Sequence, residues 1–103
     1  MISFFKKLLG IEAAPDYKEL IQNGAIIVDV RTEGEYQSGH IKGSKNIPLN
    51  HLQKSSKTLS KDKAIITCCA SGMRSASAKS MLKAQGFTQV YNGGGWLNLK
   101  NKL

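Results

Sequence analysis

Acidic residues are scarce in this 103-residue chain: seven carboxylates stand against fifteen basic side chains, for a formal net charge of +8. Such a balance raises nucleic acid or a membrane surface as partners. Thirteen of the basic residues are lysine, however, and they are scattered from Lys6 to Lys102 rather than clustered. Arginine patches with exposed aromatics are missing, and so is every nucleic-acid-binding motif, so no nucleic-acid partner is expected. Cysteine is scarcer still. The pair Cys68 and Cys69 are neighbours, and a disulfide between neighbours would be strained and would close no loop, which excludes a disulfide framework. Two cysteines and two widely separated histidines, His40 and His51, fit no usual zinc spacing, so no metal is expected. No apolar run approaches the roughly 20 residues that a membrane-spanning helix needs. The apolar stretch within residues 1–10 is broken by Lys6 and Lys7 and leads to no small-residue cleavage site. The expectation is a cytoplasmic, reducing setting without a transmembrane segment. Internal repeats and linker-like stretches are also lacking, which leaves room for one domain with a modest core.

What the chain does have is a cysteine placed for chemistry. An apolar run, Ala64 to Cys68, stops at Cys69-Ala70-Ser71-Gly72-Met73-Arg74-Ser75, and a helix-like run follows from Ala76 to Gln85. A cysteine at the tip of a buried strand then meets a tight loop of small residues that opens a helix. The unpaired N–H groups of a helix N-terminus and its dipole favour negative charge, and consecutive loop N–H groups form an anion-binding concavity. The arrangement predicts a thiol held as thiolate.

The rest of the chain alternates strand and helix patterns. Residues 1–9 carry apolar side chains at positions 2, 4, 5, 8 and 9, a short amphipathic pattern expected to pack on its own domain or on a partner subunit rather than to anchor in a membrane. Asp16 is placed to cap a helix over 17–23, ended by Gly24. Residues 25–30 read as a strand covered on both faces. Asp29 near its tip must then be paired, with Arg31 or the distant Arg74 as candidates. Thr32 to Glu35 is a capping box for a short helix ended by Gly39. A short strand is expected within 41–47, closed by Pro48, and helical segments within 49–59. The pattern then predicts a second buried strand over 64–68 and a helix over 75–85 with Ala76, Ala78, Met81 and Leu82 inward. A strand follows over 87–91, Asn92 and the glycines 93–95 read as a loop whose backbone turns freely or approaches another group closely, and Trp96 opens a last helix. This order predicts an α/β three-layer domain with a mainly parallel sheet. Ligands bind off the carboxyl ends of such strands, where Asp29, Arg31, the Cys69 loop and the glycines all fall.

Asp29-Val30-Arg31, Glu35-Tyr36, Gly39-His40-Ile41, Gly43-Ser44, Asn46-Ile47-Pro48, Cys69-x-x-Gly72-x-Arg74-Ser75 and Gly86-Phe87…Val90-Tyr91…Gly93-Gly94-Gly95-Trp96, taken together, resemble the rhodanese-like (sulfurtransferase) domain family. The likeness covers about residues 12 to 100, so a single domain at 12–103 is expected behind a short amphipathic segment, 1–11. The resemblance implies a central, mainly parallel five-stranded sheet flanked by helices on both faces. It implies Cys69 as a persulfide-forming nucleophile, with the backbone N–H groups of Ala70, Ser71, Gly72, Met73 and Arg74 turned towards the sulfur and Ser75 opening the helix. It implies a sulfane-sulfur donor such as thiosulfate or a persulfide, an acceptor such as cyanide, a thiol or a protein cysteine, and no metal or organic cofactor. Related phosphatases carry Cys-x5-Arg; the Cys-x4-Arg spacing here suits a single sulfur better than a tetrahedral oxyanion. Residues Ala70, Ser71, Gly72, Met73, Arg74 and Ser75 are expected to bind substrate, and Asp29, Arg31, Glu35 and His40 to position rather than react. Arg74 either binds donor oxyanions or ties the loop to a carboxylate, with Asp29 the neighbour that invites the tie. Side-chain alternation turns Cys68 away from the loop, as a small buried apolar residue.

Overall fold

Two runs of β-branched residues pair side by side at the centre of the molecule. A computed structural model describes residues 14–103; the amphipathic pattern at 1–11 lies outside the described residues. The elements in order are helix α1 (Tyr17–Gln22), strand β1 (Ile26–Asp29), α2 (Glu33–Ser38), β2 (Lys45–Asn46), α3 (Leu49–Ser55) with a 3-10 turn at Ser56–Thr58, β3 (Ile65–Cys69), α4 (Met73–Ala84), β4 (Val90–Gly95) and α5 (Trp96–Lys100). All strand pairs are parallel, in the order β2-β1-β3-β4. Each connection between sequential strands contains a helix, as parallel crossovers require.

The local signals behave as their chemistry predicts. The Asp16 carboxylate accepts the Glu19 N–H at 3.1 Å at the start of α1. Thr32 and Glu35 complete both halves of the capping box on α2. Side chains alternate along the strands, so the core splits in two. Val28, Ile65 and Cys69 pack with Leu52, Leu59, Ala78, Leu82 and Phe87 on one face; Ile27, Ile66 and Cys68 pack with Tyr17, Ile41 and Leu99 on the other.

Several boundaries differ from expectation. The sheet has four strands among the described residues, where the resemblance implied five. The strand expected within 41–47 shrinks to the two residues of β2, which register with Val28 and Asp29. Helix α4 begins at Met73 rather than Ser75, so Met73 and Arg74 are helical. Its buried positions are Ser75, Ala78 and Leu82, spaced by three and four residues as one helical face demands. That stripe leaves Ala76, expected inward, exposed. The glycines expected as a loop belong to β4, whose span is Val90–Gly95 rather than 87–91. Close packing explains the glycines: a Cβ on Gly93 would lie 2.9 Å from both the Leu99 side chain and the Thr67 carbonyl, and one on Gly95 would lie 2.9 Å from the Ala70 carbonyl. A side chain at either position would push the strand off β3 and the loop that follows it.

Candidate active site

Cys69 closes β3, and the next three residues turn the chain back over it. The Gly72 N–H donates to Cys69 Sγ at 2.9 Å and the Ser75 N–H at 3.4 Å. Gly72 is the N-cap of α4 at φ +106°, a left-handed conformation that side chains disfavour. That turn aims the N–H groups at the sulfur instead of at water. Cys69 is fully buried beneath the loop, whereas Ala70, Ser71 and Met73 are exposed. Burial pushes the Cys69 thiol up, but hydrogen bonds from the Ser75 hydroxyl and from the Ser75, Gly72 and Ser71 N–H groups outweigh it. The net effect holds the thiol below its ordinary value. These donors converge on the sulfur from the turn and from the first turn of the helix, an arrangement that favours negative charge there.

A second layer supports the cradle, and sequence reasoning missed its central member. Ser75 Oγ lies 3.5 Å from Cys69 Sγ and donates towards Asn92 Oδ1 at 2.7 Å. Asn92 Oδ1 also accepts the Gly94 N–H at 2.9 Å, and Thr67 Oγ1 donates to the Ser75 carbonyl at 2.9 Å. Asn92 stands in β4, immediately before the three glycines. Reading that stretch as a loop rather than a strand left the direction of its side chain open. The only local signal available was a polar residue in a strand-like run beside the glycines.

The two arginines take different partners. Arg31 grips Asp29 through Nε and Nη2, the latter at 2.7 Å, and also reaches the Gly39 carbonyl at 2.7 Å. Both residues of this pair are buried, and Trp96 stacks over the guanidinium at 4.6 Å. Of the two candidate partners for Asp29, Arg31 is therefore the one engaged. Arg74 does not reach Asp29. It forks onto the Glu35 carboxylate at 2.7 and 2.9 Å, because entry into α4 two residues early points its side chain across to α2. The Arg74 guanidinium, with the Thr32 capping bonds behind it, draws the Glu35 carboxyl down to about 2. His40 stays outside this arrangement: it is exposed, stacks on Tyr36 at 3.8 Å, and places Nδ1 2.8 Å from the Tyr36 carbonyl.

Cys68 points to the opposite face of the sheet. Burial, followed by the negative charge of Asp29, pushes its thiol up to about 12. Among the described residues, no three His, Cys, Asp or Glu side chains gather to hold a metal ion, and no helix is long and apolar enough to cross a membrane.

The chain is similar to known proteins. The family model described as "Rhodanese-like domain" matches residues 13–102. The uncharacterized protein YqhL of Bacillus subtilis is 37% identical over 68 residues, 66% of this chain and 54% of its own length. Thiosulfate sulfurtransferase GlpE of Ectopseudomonas mendocina is 34% identical over 91 residues, 88% of this chain and 80% of its own. Reduced CoADR-RHD of Bacillus anthracis superposes with a TM-score of 0.73 at 36% identity, covering 84% of this chain. The chain thus spans about half the length of YqhL and 15% of that solved chain. The family match runs through nearly the whole chain, from ahead of α1 to the end of α5, and this chain belongs to the rhodanese-like domain family.

Proposed function

We propose that this protein is a sulfurtransferase that moves a sulfane sulfur from a donor such as thiosulfate to a thiophilic acceptor through a persulfide on Cys69. The observation that carries the reading is the pair of N–H groups, from Gly72 and Ser75, aimed at Cys69 Sγ. In the first half-reaction the thiolate attacks the outer sulfur of thiosulfate. A new S–S bond forms, the donor's S–S bond breaks, and the electron pair leaves with sulfite. The negative charge then rests on the outer persulfide sulfur, where the loop N–H groups stabilise it as an oxyanion hole stabilises an alkoxide. In the second half-reaction the acceptor attacks that outer sulfur and Cys69 leaves as thiolate, a ping-pong scheme. Arg74, committed to Glu35, holds the loop in place. Asp29 and Arg31 brace the chain behind it, and His40, stacked on Tyr36, holds the end of α2. Neither half-reaction requires a metal or an organic cofactor. The two free thiols suit a reducing compartment such as the cytoplasm.

GlpE, the relative named as a thiosulfate sulfurtransferase, supports the donor. A protein cysteine as acceptor is the second reading. It is favoured by Met73, an 81% exposed hydrophobic side chain immediately after the residue that holds the sulfur. Intact mass after incubation with thiosulfate tests the proposal: the protein gains one sulfur, and Cys69→Ser gains none. An adduct that survives in Cys69→Ser and disappears in Cys68→Ser overturns the assignment. Slow turnover with cyanide beside rapid transfer to a protein thiol would select the second reading.

A further inference from the structure

The Ser75 hydroxyl has one proton and three neighbours that want it. Asn92 Oδ1 lies at 2.7 Å, the Gly72 carbonyl at 3.0 Å and Cys69 Sγ at 3.5 Å. Ser75 is fully buried, so water does not compete. When Cys69 is a thiol, its S–H donates to Ser75 Oγ and the hydroxyl proton points to Asn92. When the sulfur is charged, the hydroxyl gains most by turning to it, since hydrogen bonds to ionised groups are the stronger ones. The turn would strand an ordinary buried acceptor, at a cost comparable to a lost hydrogen bond. Asn92 Oδ1 is not stranded, because the Gly94 N–H still donates to it at 2.9 Å.

We propose that Asn92 is a positioning residue: it parks the Ser75 hydroxyl while Cys69 is neutral or persulfidated and releases it to Sγ whenever that sulfur carries the charge. The inference rests on the Cys69 persulfide reading and deepens it. In the first half-reaction Sγ loses its charge to the outer sulfur, and the hydroxyl returns to Asn92. In the second, the electron pair of the breaking S–S bond settles on Sγ, and the hydroxyl turns back to receive it. No proton is transferred in either movement; only its hydrogen-bond partner changes. Asn92 therefore competes with the thiolate for one donor. Removing this competitor leaves the hydroxyl only the longer contact to the Gly72 carbonyl, at 3.0 Å, and should make the thiolate easier to form.

The charged and titratable groups around Cys69 are Cys68 on β3, Arg74 on α4 with its partner Glu35 on α2, Asp29 and Arg31 beyond Cys68, and Tyr91 on β4; of these only Cys68 is altered below, and it is removed equally from every chain compared. The test is the pH midpoint of iodoacetamide alkylation of Cys69, in a Cys68→Ala background so that a single thiol is read. Asn92→Ala should lower the midpoint by about 0.5 to 1 pH unit, one modest hydrogen bond's worth. Ser75→Ala should raise it, and Asn92→Ala should then have no further effect in the Ser75→Ala chain, as a double-mutant cycle demands of a residue acting through its neighbour. A merely structural Asn92 would loosen the cradle, and the midpoint would rise. That rise, or a fall that persists without the Ser75 hydroxyl, overturns the inference. If Asn92→Ala does not fold, Asn92→Asp keeps both hydrogen bonds and pulls harder on the hydroxyl. Its midpoint should rise, and the rise should shrink by more than half in Ser75→Ala; an undiminished rise is a direct charge effect and defeats the idea. Alkylation involves no sulfur donor, so these outcomes are independent of the sulfur-uptake assay that tests the persulfide reading.

Discussion

Cys68 and Cys69 are chemically identical neighbours on one strand, yet the two faces of the sheet give them opposite chemistry. Behind the strand tip, Cys68 meets the Asp29–Arg31 pair, whose charges cancel and whose hydrogen bonds are spoken for. A thiolate there would face a carboxylate in a dry core, and the thiol is pushed up to about 12. In front, Cys69 meets N–H donors without a carboxylate among them, and its thiol is pulled below the ordinary value despite burial. The comparison teaches that burial alone does not decide whether a cysteine reacts. The sign of what fills the space around the sulfur decides it.

Turnover breaks the comparison most sharply. Thiosulfate-to-cyanide transfer should fall to background, by about 10³-fold or more, in Cys69→Ala, because the covalent path is lost. In Cys68→Ala it should stay within about threefold. Equal losses in the two variants would mean that the faces are not chemically distinct.

The next largest effect falls on the rear face. Arg31→Ala leaves the buried Asp29 carboxylate without its partner, a change that costs about 3–5 kcal/mol. Urea unfolding should show that loss, and a change below 1 kcal/mol would imply that water reaches Asp29. Arg74→Ala breaks a pair whose two side chains are each 36% exposed, so its stability cost should stay within about 1 kcal/mol.

Alkylation against pH sharpens the contrast further. With both cysteines present, one thiol should react with a midpoint below the free value of about 8.5, and it should map to Cys69. The other should stay unreactive through neutral pH until the chain unfolds. A midpoint at or above the free value would mean that the loop N–H groups do not outweigh burial.

The smallest effect concerns the rim. Glu35 has its folded value drawn from 4.5 down to about 2 by Arg74. Depression means that the unfolded chain takes up the proton first, so the stabilisation is complete above 4.5 and is lost as pH falls towards 2. Acid unfolding curves of Arg74→Ala should therefore converge on the parent curve in this window while remaining separate at neutral pH. Parallel curves would remove Glu35 as the titrating partner.

Much of this was legible along the chain. The capping residues Asp16 and Thr32, the apolar runs at β1 and β3, and the cysteine followed by a small-residue turn each act within a few residues of themselves. Local sequence therefore carries their meaning. The period of two along β3 already separated Cys68 from Cys69. Glycine serves two purposes, free turning and close approach, and the chain order left both open at 93–95; packing shows that Gly93 and Gly95 serve the second, within a strand rather than a loop. Ala76 misled because the register of α4 depends on where Gly72 turns the chain.

By itself, then, the amino-acid order determined the alternation of strand and helix, the family and the cysteine at the strand tip, since propensity, capping and side-chain alternation are short-range. Tertiary structure alone decided which carboxylate holds Arg74, a partner 39 residues away, and brought Asn92 onto the hydroxyl of Ser75, 17 residues away. Those pairings follow from how helices and strands pack against one another. No local preference of either residue encodes that geometry.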